Sequence, residues 1–395
     1  MIQDSVQAKE PLMREVSSAG EGRDITRPFI AASSLLVPQD PVLQGRGGDY
    51  TLYEDLLRDD QVASAFQQRR LAVTSAEWGV VPGDERKESQ KAADHLREML
   101  LNIGWDRITD KMLYGLFYGY GVAECLWERQ GSRVELADIV VRKQRRFAFD
   151  NKGNLVLRLV SDHQGELLPE KKFWHFSAGA DNDDEPYGLG LAHWLYWPVY
   201  FKRNGIKMWS IFMDKFGMPT AKGSYPANAT VEENSALRAI HTDSGIIVPE
   251  NMQVELIEAS RGGNVSYENF LDRMNRAIAK VVLSQTMTIE ADGGQFKAQV
   301  QKSVRDEVLR RDASLISNSF NSSVVCWLTG WNYPDAALPR VWRRISDEND
   351  LRPRAERDKM LFDMGFRPSI SYIQETYGEG WHEVEKKSDP AGKLD

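Results

Sequence analysis

Cysteine is nearly absent from this chain. Two residues in 395, Cys125 and Cys326, stand far apart with no CxxC spacing. That excludes a disulfide scaffold and a thiolate zinc site, and reads as two buried thiols in a reducing compartment. Long apolar runs are missing as well. The longest charge-free apolar stretch, Gly188 to Phe201, falls short of the ~18 to 20 residues that span a bilayer. Met1-Ile2-Gln3-Asp4 lacks the basic start of a secretory signal. A soluble, intracellular protein without membrane contact is therefore expected. Positive charge is in deficit, with 50 Lys and Arg against 58 Asp and Glu and a net charge of -8. Gripping a phosphate backbone relies on cations, so a dedicated nucleic-acid binder is excluded and any contact with DNA should be local or loose.

Catalytic signatures are lacking too. HExxH, a Walker A lysine, a GxSxG elbow and a GxGxxG loop between strand and helix do not occur. Gly119-Tyr120-Gly121 and Gly188-Leu189-Gly190 do not extend into a dinucleotide fingerprint, and read as turns and helix boundaries. The histidines His95, His163, His175, His193, His241 and His382 are scattered without ligand spacing, so no metal and no cofactor are expected. Asp181, Asp183, Asp184 and Glu185 form an acidic loop that lacks the glycine-anchored periodicity of a calcium site and reads as solvated.

What is present is a chain long enough for two or three units of roughly 100 to 200 residues each, with ample apolar content for a core. The pattern predicts an α+β protein, mainly α. Residues 1–27 mix charges with Gly and Ser and read as a mobile arm. Asp59 and Asp60 are candidate caps for a helix through Val62, Ala65, Phe66 and Arg69 to Val73, followed by a strand at Glu77 to Pro82. Helices over Lys91 to Leu101 and Trp105 to Tyr118 lead into a β-rich block. Its strands are expected at Val122 to Glu128, Val134 to Val141, Arg146 to Phe149, Leu155 to Val160 and Phe173 to Phe176, with a hairpin turn at Asp150 to Asn154.

From Ala192 to Phe216 the pattern is helical and rich in aromatics, with Pro198 tolerable only near the first turn or at a kink. A compact β-α-β-β unit follows: a strand at Thr220 to Tyr225, a helix opened by Thr230-x-x-Glu233, and Ile246 to Val248 pairing with Met252 to Ile257. A second long helix carries Tyr267, Leu271, Met274, Ile278 and Val281 at the alternating spacing of a packing seam, with Arg273, Arg276 and Lys280 as a separate basic stripe. Two long helices flanking a small excursion predict an antiparallel pair with a module at its far end. After the flexible Glu290 to Gln295 comes a third long helix from Ala298 to Leu328. Its apolar face drifts from Val300, Val304 and Val308 to Leu309, Ala313, Ile316, Phe320 and Val324, which predicts a bend. A charged helix from Leu351 to Asp363, a turn at Gly365 to Pro368 and a short helix from Ser369 close the ordered part.

The chain carries, in order, Pro186-Tyr187-Gly188-Leu189-Gly190-Leu191, Trp197-Pro198-Val199-Tyr200-Phe201-Lys202-Arg203-Asn204-Gly205-Ile206-Lys207, Phe216-Gly217-Met218-Pro219 and Lys222-Gly223-Ser224-Tyr225-Pro226. This succession resembles the Mu-like family of tailed-bacteriophage portal proteins. It extends to Asp243-Ser244-Gly245-Ile246-Ile247-Val248-Pro249-Glu250, Leu283-Ser284-Gln285-Thr286-Met287-Thr288, Asp292-Gly293-Gly294 and the early Leu57-Arg58-Asp59-Asp60-Gln61-Val62. It implies a non-enzymatic ring, usually dodecameric, that conducts double-stranded DNA at one capsid vertex during packaging and ejection. The implied partners are other copies of the chain, the large terminase subunit, head-tail connector or adaptor proteins and the major capsid protein. The implied location is the virion, with the host cytoplasm during assembly.

The same resemblance divides the chain. It implies a wing at 28–190, a first stem helix at 191–217, a clip at 218–262, a second stem helix at 263–288 and a tunnel loop at 289–297. A channel helix at 298–330 and a section at 331–395 with a reduced crown complete the layout. Its tunnel-loop candidates are Asp292, Gly293, Gly294, Gln295 and Lys297. Candidate DNA-facing stem residues are Arg273, Arg276, Lys280, Lys202, Arg203 and Lys207. Clip residues for partner docking would be Lys222, Tyr225, Ile246, Val248 and Glu250, and subunit-interface candidates are Trp194, Trp197, Tyr200, Trp209 and Phe212. Two rival readings are a metal-dependent hydrolase or nuclease using residues 181–185 and a monomeric, sequence-independent DNA-binding protein.

Overall fold

A computed structural model describes residues 35–45, 48–159, 165–216, 220–224, 253–257, 266–284, 295–345, 351–378 and 381. Within 215–224, 253–257, 295–302, 351–354 and at 375 it describes the backbone alone. The expected N-terminal arm lies outside the described residues. The chain divides into one unit through Arg344 and a second from Ile345.

The first unit opens with two short helices that sequence patterning misses, α1 (Pro41–Gln44) and α2 (Thr51–Leu56). Helix α3 (Asp60–Thr74) starts as expected at Asp59, whose carboxylate accepts the Gln61 and Val62 amides, and it buries Val62, Ala65, Phe66, Arg69 and Val73. Strand β1 (Trp78–Val81) and helix α4 (Lys87–Ile103) follow. The helix expected over Trp105 to Tyr118 breaks at Leu113 into α5 (Trp105–Met112) and α6 (Tyr114–Tyr118). Then come β2 (Tyr120–Gln130) and β3 (Arg133–Arg142), an antiparallel pair to which β7 (Phe173–Ser177) adds in the order β3-β2-β7. Strands β4 (Phe147–Phe149), β5 (Leu155–Leu157) and the unexpected β6 (Glu166–Leu167) form a second antiparallel sheet. The β4–β5 turn is built as its residues predict: Asp150 Oδ1 accepts the Lys152 and Asn154 amides at 2.9 and 2.8 Å, and Gly153 takes φ +81°.

Helix α7 (Leu191–Phe216) carries Pro198 in its interior rather than its first turn, so the carbonyl of Trp194 lacks its usual amide partner. Strands β8 (Thr220–Ser224) and β9 (Gln253–Ile257) pair antiparallel, with Thr220 opposite Ile257. The strand and helix expected between them lie outside the described residues. Helix α8 (Tyr267–Leu283) is capped by Ser266, whose hydroxyl accepts the Asn269 amide. Helix α9 (Gln295–Phe320) begins three residues earlier than expected, which puts Gln295 and Lys297 in its first turn instead of a loop.

The drift of the apolar face on α9 is resolved by a π-helical turn, Asn321–Val325, that leads into α10 (Cys326–Asn332). A π-turn adds a residue to one turn and so rotates the face that follows. Asn321 uses it to act like a strand residue. Its Nδ2 donates to the Val341 carbonyl and its Oδ1 accepts the Val341 amide, each at 2.9 Å, clamping β10 (Arg340–Arg343), which pairs with β1. Asn332 repeats the device on Val134 of β3, at 2.8 and 2.9 Å.

The main core joins Tyr53, Leu56, Phe66, Phe117, Tyr120, Phe149, Tyr187 and Leu195 with Ile278 and Val282 of α8. A second centre stacks Trp105 on Trp174 with Phe320 against both. In the second unit, α11 (Leu351–Asp363) and α12 (Ile370–Tyr377) match expectation. Asp358 holds them together by accepting the Tyr372 and Tyr377 hydroxyls at 3.0 and 2.8 Å.

Candidate functional site

The feature the sequence singled out, a long aromatic helix and its returning partner, is an antiparallel pair. Phe270 and Leu271 of α8 pack at Gly205 of α7, and Tyr267 stacks on Trp209 with centroids 6.4 Å apart and also meets Phe212 at 5.7 Å. Glycine at 205 is what permits this approach: a Cβ there would sit 2.8 Å from the Phe270 ring. Trp209 and Phe212 therefore take part in contacts inside the protomer, which leaves Trp194, Trp197 and Tyr200 as the outward-facing members of the proposed interface set.

The upper part of α7 is fastened to the body by carboxylates. His193 Nδ1 lies 2.8 Å from Asp40 Oδ1, and Asp40 also accepts the Tyr53 hydroxyl. Lys202 Nζ lies 3.0 Å from Asp59 and 2.5 Å from Asp60, and Arg203 pairs with Asp55 while its Nη2 donates to the Asp55 carbonyl at 2.8 Å. The hydrogen bond from Lys202 holds the Asp60 carboxyl below its ordinary value.

This corrects one expectation. Lys202 is only 5% exposed and neutralises two aspartates at the start of α3, so it cannot present charge to DNA. Desolvating an ammonium is tolerable only with such partners. Arg203 stays half-exposed but is committed to Asp55. Lys207 is exposed, as are Arg273, Arg276 and Lys280 along α8.

Where α7 and α8 meet the body, a buried guanidinium ties three helices. Arg69 of α3 donates Nε and Nη2 to Asp312 of α9 at 2.6 and 2.8 Å, and Nη1 to the Val282 carbonyl at 2.6 Å in the last turn of α8. Beside this fork opens a groove of about 710 Å³ walled by Trp194, Val281, Val308, Leu315 and the 177–186 loop. Asp181, Asp183 and Asp184 of that loop are exposed, as expected of a solvated loop, and Glu185 is half-buried. Asn182 donates to Asp181, the Asp184 amide donates to Asn182, and the Tyr187 amide donates to Glu185. Among the described residues, no three His, Cys, Asp or Glu side chains group as a cation site requires.

Of the other expected site residues, Tyr225, Ile246, Val248, Glu250, Asp292, Gly293 and Gly294 lie outside the described residues, and Lys222, Gln295 and Lys297 are described by backbone alone. Sequence reasoning missed the Arg69–Asp312 fork, because a single charged residue on an apolar helix face gives no hint of its partner 243 positions away. It also missed the exposed Phe201, Met208 and Ile211 of α7. The signal was available, since aromatic and aliphatic residues cover more of the helix circumference than one partner helix can bury.

Comparison with known proteins shows the family. The profile of the family "Portal protein of Mu bacteriophage" matches residues 50–379. The portal protein of Escherichia phage Mu is 29% identical over 350 residues, covering 83% of this chain and 67% of that protein. The Mu-like prophage FluMu protein gp29 of Haemophilus influenzae is 26% identical over 327 residues, covering 78% of this chain and 62% of that protein. Among solved structures, a chain in the neck of an empty gene transfer agent particle superposes with a TM-score of 0.59 at 13% identity, covering 88% of this chain and 97% of that one. A chain in the neck of the native particle, computed with C12 symmetry, gives 0.57 at 14% identity, covering 88% and 96%. At these identities the structural likeness is one of fold.

Proposed function

The chain belongs to the family of portal proteins of Mu bacteriophage, and from this premise we propose that identical copies close into a ring, usually of twelve, at one vertex of a tailed-phage capsid. Double-stranded DNA passes through the ring during packaging and again at ejection. The observation that carries this reading is the family match over residues 50–379, which spans the α7–α8 pair, a pair that keeps an apolar outer face. Closed rings are built from heterologous contacts, one patch of each subunit meeting a different patch on the next. Trp194 and Trp197, 57% and 54% exposed on α7, supply such a patch.

In this reading α7 and α8 are the stem, residues 28–190 the wing and 218–262 the clip. The clip docks the large terminase subunit first and head-tail connector proteins later, through Lys222, Tyr225, Ile246, Val248 and Glu250. Residues 289–294 form the tunnel loop, and Gly293-Gly294 supplies its backbone freedom. A net charge of -8 per copy suits a wall past which DNA must slide, because strong phosphate contacts would arrest it. Arg273, Arg276 and Lys280 interrupt that wall as basic bands, each residue multiplied by the symmetry of the ring. The chemistry of transport belongs to the motor, and this chain takes no catalytic part.

Negative-stain imaging with light scattering tests the ring. Annular particles are expected, and a monodisperse monomer would refute it. Replacing Arg273, Arg276 and Lys280 by Gln should leave rings intact and impair packaging; unchanged packaging rejects the role of the band.

A further inference from the structure

One stretch of the first unit concentrates positive charge in an otherwise acidic chain. Arg142-Lys143-Gln144-Arg145-Arg146 joins β3 to β4 through a 3-10 turn over Gln144–Arg146. Its one uncharged member is the anchor. Gln144 is buried, with Nε2 donating to the Tyr120 carbonyl at 3.2 Å, while its own carbonyl accepts the Tyr120 hydroxyl at 2.7 Å. Lys143, Arg145 and Arg146 around it are exposed. The β4–β5 register adds a fourth exposed cation. The Arg158 amide donates to the Arg146 carbonyl at 2.8 Å, so these two arginines stand directly opposite each other and share one face.

That pairing works against the fold, because like charges directly opposite on a β pair destabilise it. Among the described residues, neither Arg146 nor Arg158 has a carboxylate within ion-pair distance. The nearby acids are already shared. Glu54 takes Lys143 at 3.2 Å and Arg145 at 3.9 Å. Asp49 is held below its ordinary value chiefly by the Thr51 hydroxyl and amide, and feels the charges of Arg145 and Arg158 together. Four cations thus converge on two carboxylates, an excess that folding does not use. Three of the four are guanidiniums, whose planar fork matches a pair of phosphate oxygens. Interfaces with protein are depleted of charge at their centre, whereas every exposed residue from 142 to 146 is a cation.

We propose that Lys143, Arg145, Arg146 and Arg158 form a second phosphate-binding surface, on the sheet-bearing body rather than on α8, that takes the backbone of duplex DNA. The inference rests on the portal reading above, which supplies the duplex. The surface lies beside α2, whose Glu54 meets Lys143 and whose Asp55 meets Arg203 of α7. It therefore stands at the root of the first long helix, on elements other than those that carry Arg273, Arg276 and Lys280. Because Glu54 and Asp49 remain within the surface, its hold on phosphate is weak and salt-sensitive, as suits DNA that must move.

The test is fluorescence anisotropy of a short labelled duplex titrated with the full-length protein from about 50 to about 200 mM salt, alongside negative-stain images and thermal circular dichroism. Each phosphate contact adds about 0.9 to the slope of log affinity against log salt, so Arg146→Gln with Arg158→Gln should flatten it by about 1.8 and weaken binding roughly 50-fold at ~0.1 M salt. Both arginines are exposed and oppose each other, so the melting temperature should hold or rise. Arg146→Lys with Arg158→Lys should keep the slope, since the charges remain. Arg97→Gln, exposed on α4, should leave it unchanged. An unchanged slope in the Gln pair overturns the surface, as does an equal flattening in Arg97→Gln or in the Lys pair. A melting temperature lowered by several degrees in the Gln pair shows that the arginines serve the fold, and overturns it too. If the Gln pair keeps its slope but loses rings, the surface meets an acidic face of a second copy and the DNA assignment falls. Wild-type protein without rings removes the portal reading, whereas rings together with an unchanged slope in the Gln pair remove this inference alone.

Discussion

The fork of Arg69 and Asp312 sets two opposite charges in the interior where α3, α8 and α9 meet. The two charged groups are 10% and 3% exposed, and the guanidinium meets the carboxylate through two charge-assisted bonds and the Val282 carbonyl through a third. Asp312→Ala leaves a guanidinium buried with only a carbonyl for company, at a cost of about 3 to 5 kcal/mol. That is a large fraction of the ~5 to 15 kcal/mol that holds a typical domain together. Arg69→Met strands the carboxylate instead and should cost a similar amount. Combining Arg69→Met with Asp312→Leu removes both desolvation penalties and fills the site. The double variant then loses chiefly the bond to Val282, worth about 1 kcal/mol, and should be more stable than either single. Urea unfolding followed by tryptophan fluorescence measures all four proteins, at one protein concentration because assembly adds to apparent stability. The reasoning is refuted if Asp312→Ala costs less than about 1 kcal/mol, or if the double variant loses the sum of the two singles. Because the fork grips the last turn of α8, Asp312→Ala should also loosen the exit of that helix toward residue 284, visible as faster hydrogen exchange there than in α4.

The two thiols should differ in reactivity. Burial pushes the Cys125 thiol up to about 12, whereas Cys326 is only partly buried with Sγ 3.3 Å from the Asn321 carbonyl. A maleimide at neutral pH should therefore label one cysteine in the native protein and two in denaturant, and native labelling of Cys125 would contradict its burial. The Lys202 clamp should respond to acid. The Asp60 carboxyl is held below its ordinary 3.8 by the Lys202 hydrogen bond, so its contribution is complete above about pH 4 and is lost as pH falls through the lowered value. Asp60→Asn should flatten the acid limb of a stability profile between about pH 4 and pH 2, and an unchanged limb would show that the pair is not felt.

How much of this was legible in the chain can be followed residue by residue. Helix α3 was read correctly down to its buried positions, because an N-cap aspartate followed by apolar residues at 3.6-residue spacing is a local signal. The β4–β5 turn, the α11–α12 hairpin and the two long helices were legible for the same reason: caps, breakers and periodicity act over a few residues. Helices α1 and α2 were not, since four and six residues are too short to show a period. The π-turn shows the boundary well. A drifting apolar face announced that α9 could not continue straight, but only the bidentate grip of Asn321 on Val341 explains why the strain is taken up at that residue.

By itself, then, the sequence determined the near absence of cysteine, the acidic balance, the lack of catalytic patterns, the paired long helices and the resemblance to a portal family. All of these are properties of composition or of short-range spacing. Which charges remain available was decided by the tertiary structure alone. Lys202 and Lys207 stand five positions apart on one helix and look alike in sequence, yet one is buried against Asp59 and Asp60 and the other is exposed. The same holds for Trp197 and Trp209, one exposed and one stacked on Tyr267. The face of a helix that turns to its neighbour is set by side chains distant in sequence, and no local pattern encodes their approach.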